Sequence, residues 1–281
     1  MSDVVSAALQ GIVEGLTEFL PISSTAHIVF TQKLLAIDNT LPFWKMFTVF
    51  IQLGAILSVV VYFWKRLCGF VGSFLSAPQA VDGQPTVSRF KHPLSLVLVS
   101  FVVTAVPCFL IDKFIGENLE RIDFMAIALI VGGVAMYVID RACSKRASTQ
   151  TIEAMTMWQA ITIGLAQILA AAFPGTSRSM ATIAGGQLMG LSRSAALEFS
   201  FFLSIPVMVA ASSFKLVQHL AREPLPSTDE WLALGVGFIS SFIVAYAVIA
   251  WFMHWVRKHG FTPFAIYRVA CGAVVLWWMR S

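Results

Sequence analysis

Charge is what this sequence has least of. Only 12% of its 281 residues are Asp, Glu, Lys or Arg, while 58% are hydrophobic and the mean hydropathy is +0.80. Soluble domains carry about twice that charged fraction, so a water-facing surface over most of the chain is excluded. Long apolar blocks separated by short polar stretches are the pattern of membrane spans. Cysteine is scarce as well. Cys68, Cys108, Cys143 and Cys271 stand singly among apolar neighbours, without CxxC or metal-ligand spacing, and are expected to be buried small hydrophobes. A basic leader is lacking too: the first apolar run has no basic n-region and carries Glu14 and Glu18, so it is expected to be kept. The net charge of +4 sits in short inter-span stretches, which orients a membrane protein and argues against nucleic acid.

What is present organises into spans and breaks. Six runs, near 46–64, 94–111, 124–139, 196–214, 232–253 and 264–279, can cross a core about 30 Å thick at about 1.5 Å per residue. Two segments do not fit. The first, 4–37, is broken at Pro21 before Ser23, Ser24 and Thr25; the second, 158–191, is broken at Pro174 and Gly175. Half-length helices joined by polar backbone survive at membrane depth only under a cover of protein or beside a water-filled cavity. Both segments read as re-entrant hairpins. The fold expected is an all-α polytopic membrane protein, one domain over 1–281, with about six transmembrane helices and two re-entrant helical hairpins.

Lys65, Arg66, Arg89 and Lys91, then Arg141, Lys145 and Arg146, then Arg257 and Lys258 mark cytoplasmic loops, and the more acidic stretches Asp112 to Asp123 and His219 to Glu230 fall opposite. Laying Gly11 to Thr25 over Gly164 to Arg178 aligns Gly, Glu14 with Gln167, Pro and Ser without gaps. The chain thus reads as two repeats, 1–140 and 152–281. An odd number of crossings in each makes them inverted, and broken helices of such folds meet near the midplane with N-termini able to receive an anion.

The chemistry gathers at the breaks. Glu14 and Glu18 share a helix face just before Pro21. Each would cost about 2.5–3.5 kcal/mol facing lipid, so both are expected to face a polar interior. Ser24 and His27, three apart, place a nucleophile or water site beside a base that titrates near neutrality; the plainer alternative is an N-cap. Arg178, within Pro174-Gly-Thr-Ser-Arg-Ser179, is a phosphate clamp or a structural partner of Glu14 or Glu18, and the two roles are compatible. An anion site with an adjacent acid and base inside a membrane suggests a lipid phosphate or diphosphate. Two carboxylates would repel that anion unless Mg²⁺ or Ca²⁺ bridges them to it, or one is protonated.

These residues carry a resemblance along the whole chain. Glu14-Gly-Leu-Thr-Glu18-Phe-Leu-Pro-Ile-Ser-Ser-Thr25 and Pro174-Gly-Thr-Ser-Arg-Ser179 resemble the two signature motifs of the undecaprenyl-diphosphatase (bacitracin-resistance) family. Ile51-Gln-Leu-Gly-Ala55, Glu198-Phe-Ser-Phe201 and Pro263-Phe-Ala-Ile-Tyr-Arg268 are similar to its other recurrent stretches. Ala26 and Met180 stand where that family usually has Gly, and Thr48 where it often has an acid. The resemblance implies hydrolysis of a polyprenyl diphosphate at the periplasmic face of a bacterial inner membrane, recycling the carrier lipid for peptidoglycan synthesis. It implies catalytic Glu14, Glu18, Ser24, His27 and Arg178, with Ser23, Thr25, Thr176, Ser177 and Ser179 against the substrate. It also implies dependence on Mg²⁺ or Ca²⁺, for which the charge argument above makes Glu14 and Glu18 the candidate ligands, and leaves room for a homodimer among membrane lipids. The rival reading is an inverted-repeat transporter or lipid flippase, which would release no phosphate. The other large class of membrane lipid phosphatases needs a His where Ala184 stands and is excluded.

Overall fold

Eleven α-helices and no β-strand make up the described residues, 3–76, 89–111 and 121–279 of a computed structural model. The segment broken at Pro21 forms α1 (Asp3–Thr17) and α2 (Ser24–Leu34), and the one broken at Pro174 forms α7 (Met157–Ala172) and α8 (Arg178–Leu188). At about 1.5 Å per residue none of the four reaches across a hydrocarbon core. Between the hairpins run α3 (Pro42–Tyr62), α4 (Trp64–Leu75), α5 (Pro93–Ile111) and α6 (Ile122–Cys143); α9 (Arg193–Leu220), α10 (Thr228–His259) and α11 (Thr262–Trp278) follow.

Five of these, α3, α5, α6, α9 and α10, are long and apolar enough to cross a membrane, and the chain is an all-α multi-pass membrane protein. The sixth expected span, 264–279, is α11, a shorter apolar helix of 17 residues. Conversely α10 overruns its expected limits to 32 residues because polar ends extend it. A reciprocal Ser227–Glu230 capping box opens it, Arg257, Lys258 and His259 complement its dipole, and Gly260 at φ 70° ends it.

Two expectations need correction. The stretch from Lys65, expected as a loop, begins with α4, in which no residue is buried. Its apolar Leu67, Phe70, Val71 and Phe74 recur at helical spacing, too few to register as a span but enough for a surface helix. The cysteines are not buried: Cys68 is exposed and the other three are half-buried. Apolar surroundings here include lipid, so an apolar neighbourhood in sequence does not imply the interior. The acidic stretch 112–120 lies outside the described residues.

Helices of the two halves interleave. α1 lies along α10, α7 along α5, α6 along α11, and α3 along α9. Small residues allow the approach. A Cβ at Gly11 would strike the Gly237 carbonyl, one at Gly164 would come 2.7 Å from the Ser100 carbonyl, and one at Gly272 2.6 Å from that of Ala126. Fully buried Asp140 at the end of α6 ties the hairpin of α7 and α8 to its neighbours. It accepts from Arg193 Nε (2.7 Å) and Nη2 (2.8 Å), from Gln187 Nε2 (2.9 Å) and from the Phe261 N–H (3.2 Å), a satisfied buried network.

Gly11→Leu should therefore push α1 off α10 and lower stability by about 1–3 kcal/mol or more, read as a drop in melting temperature in detergent. Gly69→Leu on α4, where a Cβ meets nothing within 4 Å, is the control expected to melt like the parent.

Candidate active site

Each hairpin turns on a serine with left-handed backbone: Ser23 (φ 73°) before α2 and Ser177 (φ 75°) before α8. For a residue with a Cβ such a conformation costs of order 1–3 kcal/mol, so the surrounding contacts must hold it. The Ser177 hydroxyl caps α8, accepting from the Met180 N–H at 3.3 Å. Ser23 makes no side-chain cap; its carbonyl meets His27 instead.

The two tips are bonded to each other. Ser179 Oγ donates to the Leu20 carbonyl at 2.9 Å. Arg178 Nη2 donates to Glu18 Oε1 at 3.2 Å and Nη1 to the Ser200 carbonyl at 3.2 Å. Fully buried Arg268 of α11 donates to the Pro21 carbonyl (3.0 Å), the Gly175 carbonyl (3.2 Å), and the carbonyls of Leu129 (3.2 Å) and Ala128 (3.1 Å) on α6. Among the described residues no backbone N–H reaches the carbonyls of Pro21 or Gly175, so Arg268 satisfies both breaks. Gly132 makes room for it, because a Cβ there would overlap the guanidinium.

Glu18 is the hub of the site. One carboxylate oxygen receives Arg178 and the other receives the Ser24 hydroxyl. Glu14, one turn earlier and fully buried, stands beside Glu18 and within the field of Arg178, yet among the described residues no hydrogen-bond donor reaches either of its oxygens. A buried carboxylate without donors is costly, so a proton or a cation belongs there. Glu14, Glu18 and Ser24 present only oxygen, which suits a hard divalent cation. No group of three or more His, Cys, Asp or Glu stands together among the described residues.

His27 departs from the sequence expectation. It does not bond Ser24. Its Nδ1 lies 2.7 Å from the Ser23 carbonyl and its Nε2 2.8 Å from Tyr267 Oη, with the two rings stacked at 5.6 Å and 14°. A carbonyl only accepts, so Nδ1 carries the hydrogen, and in neutral His27 the Nε2 lone pair accepts from Tyr267. The helix start turns the two side chains to different neighbours, and the group beside Ser24 is Glu18. Of the remaining expected residues, Ser23, Ser177 and Ser179 are buried at the tips, Thr176 is half-buried and Thr25 is exposed. The departures pack into the core: Ala26 is fully buried and Met180 nearly so, and Thr48 accepts from Gln32 at 3.3 Å.

Sequence reasoning assigned no role to Arg268 or Tyr267. The signal for Arg268 is the one applied to Glu14 and Glu18, a lone charge inside an apolar run, where it is costly unless it faces the protein interior. A cavity of about 360 Å³ among Tyr62, Phe63, Arg66, Glu198, His254 and Arg257 contains none of the tip residues.

Comparison with known proteins places the chain in a family. The family model described as Bacitracin resistance protein BacA matches residues 7–274. This chain belongs to the BacA family. Similar BacA-family relatives include a protein of Koribacter versatilis, 48% identical with 99% of each chain covered, and one of Novosphingobium aromaticivorans, 42% identical with 99% of each covered. A third, from a Thermoanaerobacter species, is 40% identical over 98% of this chain and 97% of its own. All three carry the name undecaprenyl-diphosphatase.

In this BacA-family protein, Arg268→Met would leave the break carbonyls of Pro21 and Gly175 without donors. At about 1–3 kcal/mol for each buried unsatisfied group, the variant should melt well below the parent in detergent. Arg268→Lys, with one ammonium for four carbonyls, should recover only part of the loss, and a parental melting temperature for Arg268→Met would remove the guanidinium from this role.

Proposed function

We propose that this protein is a membrane-embedded phosphatase that hydrolyses undecaprenyl diphosphate to undecaprenyl phosphate and inorganic phosphate. Family membership and full-length similarity to proteins named undecaprenyl-diphosphatase support the activity. One observation carries the site: Glu18 receives Ser24 from its own hairpin and Arg178 from the other. A nucleophile, its proton acceptor and a permanent cation therefore meet where α2 and α8 begin, and the N-termini of two helices favour the two phosphates of the substrate.

Arg178, with the N-terminal N–H groups of α8, holds the terminal phosphate and neutralises charge developing on its oxygens. Ser24 Oγ forms the new bond to phosphorus as the bond to the bridging oxygen breaks, and its proton passes to Glu18. Undecaprenyl phosphate departs with the bridging oxygen. Water then attacks the seryl phosphate, with His27 as base, and inorganic phosphate leaves. Glu14 and Glu18 would be the protein ligands of a divalent cation, Mg²⁺ or Ca²⁺, which when bound supplies charge neutralisation on the diphosphate. Positioning and charge compensation do most of the work in such a transfer.

The wider setting follows from the same reading. The basic stretches after α3, α6 and α10 favour a cytoplasmic side opposite the catalytic opening, so the site faces the periplasm of a bacterial inner membrane and recycles the carrier lipid for peptidoglycan synthesis, which would confer bacitracin resistance. The alternating helix pairings support two repeats of opposite orientation, 1–140 and 152–281.

Purified protein in detergent should release phosphate from undecaprenyl diphosphate, lose activity to chelator and regain it with Mg²⁺ or Ca²⁺. Arg178→Ala should lower kcat about 100-fold or more. No phosphate release by the wild type would instead support a transporter. Ser24→Ala should bind the lipid yet lose turnover; undiminished turnover would assign the attack to water.

A further inference from the structure

α11 enters the site through two neighbouring residues with different targets. Arg268 holds the backbone of both breaks, while Tyr267 holds His27. The Tyr267 ring lies against the imidazole and its hydroxyl sits 2.8 Å from Nε2. With Nδ1–H committed to the Ser23 carbonyl, Nε2 is the only basic atom of His27, and its single lone pair is occupied by the Tyr267 O–H. His27 therefore cannot take a proton from water directly while this contact stands. Of the pair, Tyr267 is the more accessible, 45% exposed.

We infer that Tyr267 is a catalytic residue of the dephosphorylation step, a proton relay between the attacking water and His27. The inference rests on His27 being the base of the proposed reaction. As the water oxygen forms its bond to phosphorus and the bond from phosphorus to Ser24 Oγ breaks, a water proton moves to Tyr267 Oη. The phenolic hydrogen moves to His27 Nε2 in the same event. The tyrosine ends neutral, the histidine ends protonated at both nitrogens, and no oxidant or further reactant is needed. Ser24 Oγ takes back from Glu18 the proton it gave up in the first step, and the imidazolium loses its proton through the same hydroxyl to water or the departing phosphate, restoring the starting state. The Ser23 carbonyl keeps the ring in place throughout, because Nδ1 retains its hydrogen in both states.

The competing arrangement is that Tyr267 merely covers Nε2 and moves away when substrate arrives, and the two predict opposite signs. Phosphate release from undecaprenyl diphosphate is measured for the wild type, Tyr267→Phe, His27→Ala and the double variant, with melting temperature as the check on folding. Tyr267→Phe keeps the ring and removes only the hydroxyl. A relay predicts a fall in kcat of about 100-fold with KM within about twofold, and a double variant no slower than His27→Ala alone, since both act in one transfer. A kcat at or above wild type for Tyr267→Phe, or losses that multiply in the double variant, overturns the relay. Should Tyr267→Phe fail to fold, 3-fluorotyrosine at position 267 keeps the shape and changes the acidity of the hydroxyl; an unchanged kcat there overturns the proposal equally. Wild-type kcat in His27→Ala instead removes His27 as base, a separate failure visible in its own arm.

Discussion

A backbone that breaks inside a membrane must find donors for its carbonyls within the protein, since lipid supplies none. Here one side chain does this for both breaks. The Arg268 guanidinium spreads its N–H groups in a plane and reaches Pro21, Gly175, Ala128 and Leu129 together. That fan of bonds joins the two tips alongside their direct contacts, Glu18 with Arg178 and Ser179 with Leu20. A lysine ammonium, a point charge with three donors, has no such shape.

Around this anchor the two hairpins share a scaffold and differ in chemistry. Both start their second helix from a left-handed serine, both make that helix 11 residues long, and both leave it through a residue of positive φ, Ala36 or Gly190. Yet Glu14 of the first corresponds in the aligned motifs to Gln167 of the second, and Glu18 to Ala171. The first hairpin thus holds the carboxylates, Ser24 and His27, while the second contributes Arg178 and the bridging Ser179. Like charges in both halves would crowd four carboxylates into one apolar interior, a cost that the asymmetry avoids.

Much of this was legible in the sequence because membrane depth makes each anomaly expensive. Pro21 and Pro174 within apolar runs, and Glu14, Glu18 and Arg178 beside them, are tolerated at that depth only where the protein itself covers and pairs them. Less legible were features that depend on contacts between distant helices. Spacing put Ser24 and His27 on one face, but which neighbour each met was decided by Tyr267, 240 residues from His27. Arg268 obeys the same rule of intramembrane charge that exposed Glu14, but its partners are carbonyls, which no pattern of residue types announces. The amphipathic α4 and the polar extensions of α10 escaped for a simpler reason: hydropathy over a span-length window averages away short helices and polar caps.

The contacts that complete the site are among the most distant along the chain: 160 residues separate Arg178 from Glu18, 240 Tyr267 from His27 and 247 Arg268 from Pro21. A ribosome delivers the first hairpin, with its acids and serine, long before α11 exists. During synthesis the left-handed turn at Ser23 has neither its guanidinium nor its tyrosine, and the acid cluster lacks its cation. Biosynthesis therefore sets an order: the nascent chain threads through the membrane with its hairpins unjoined, and these contacts are completed only when α11 docks.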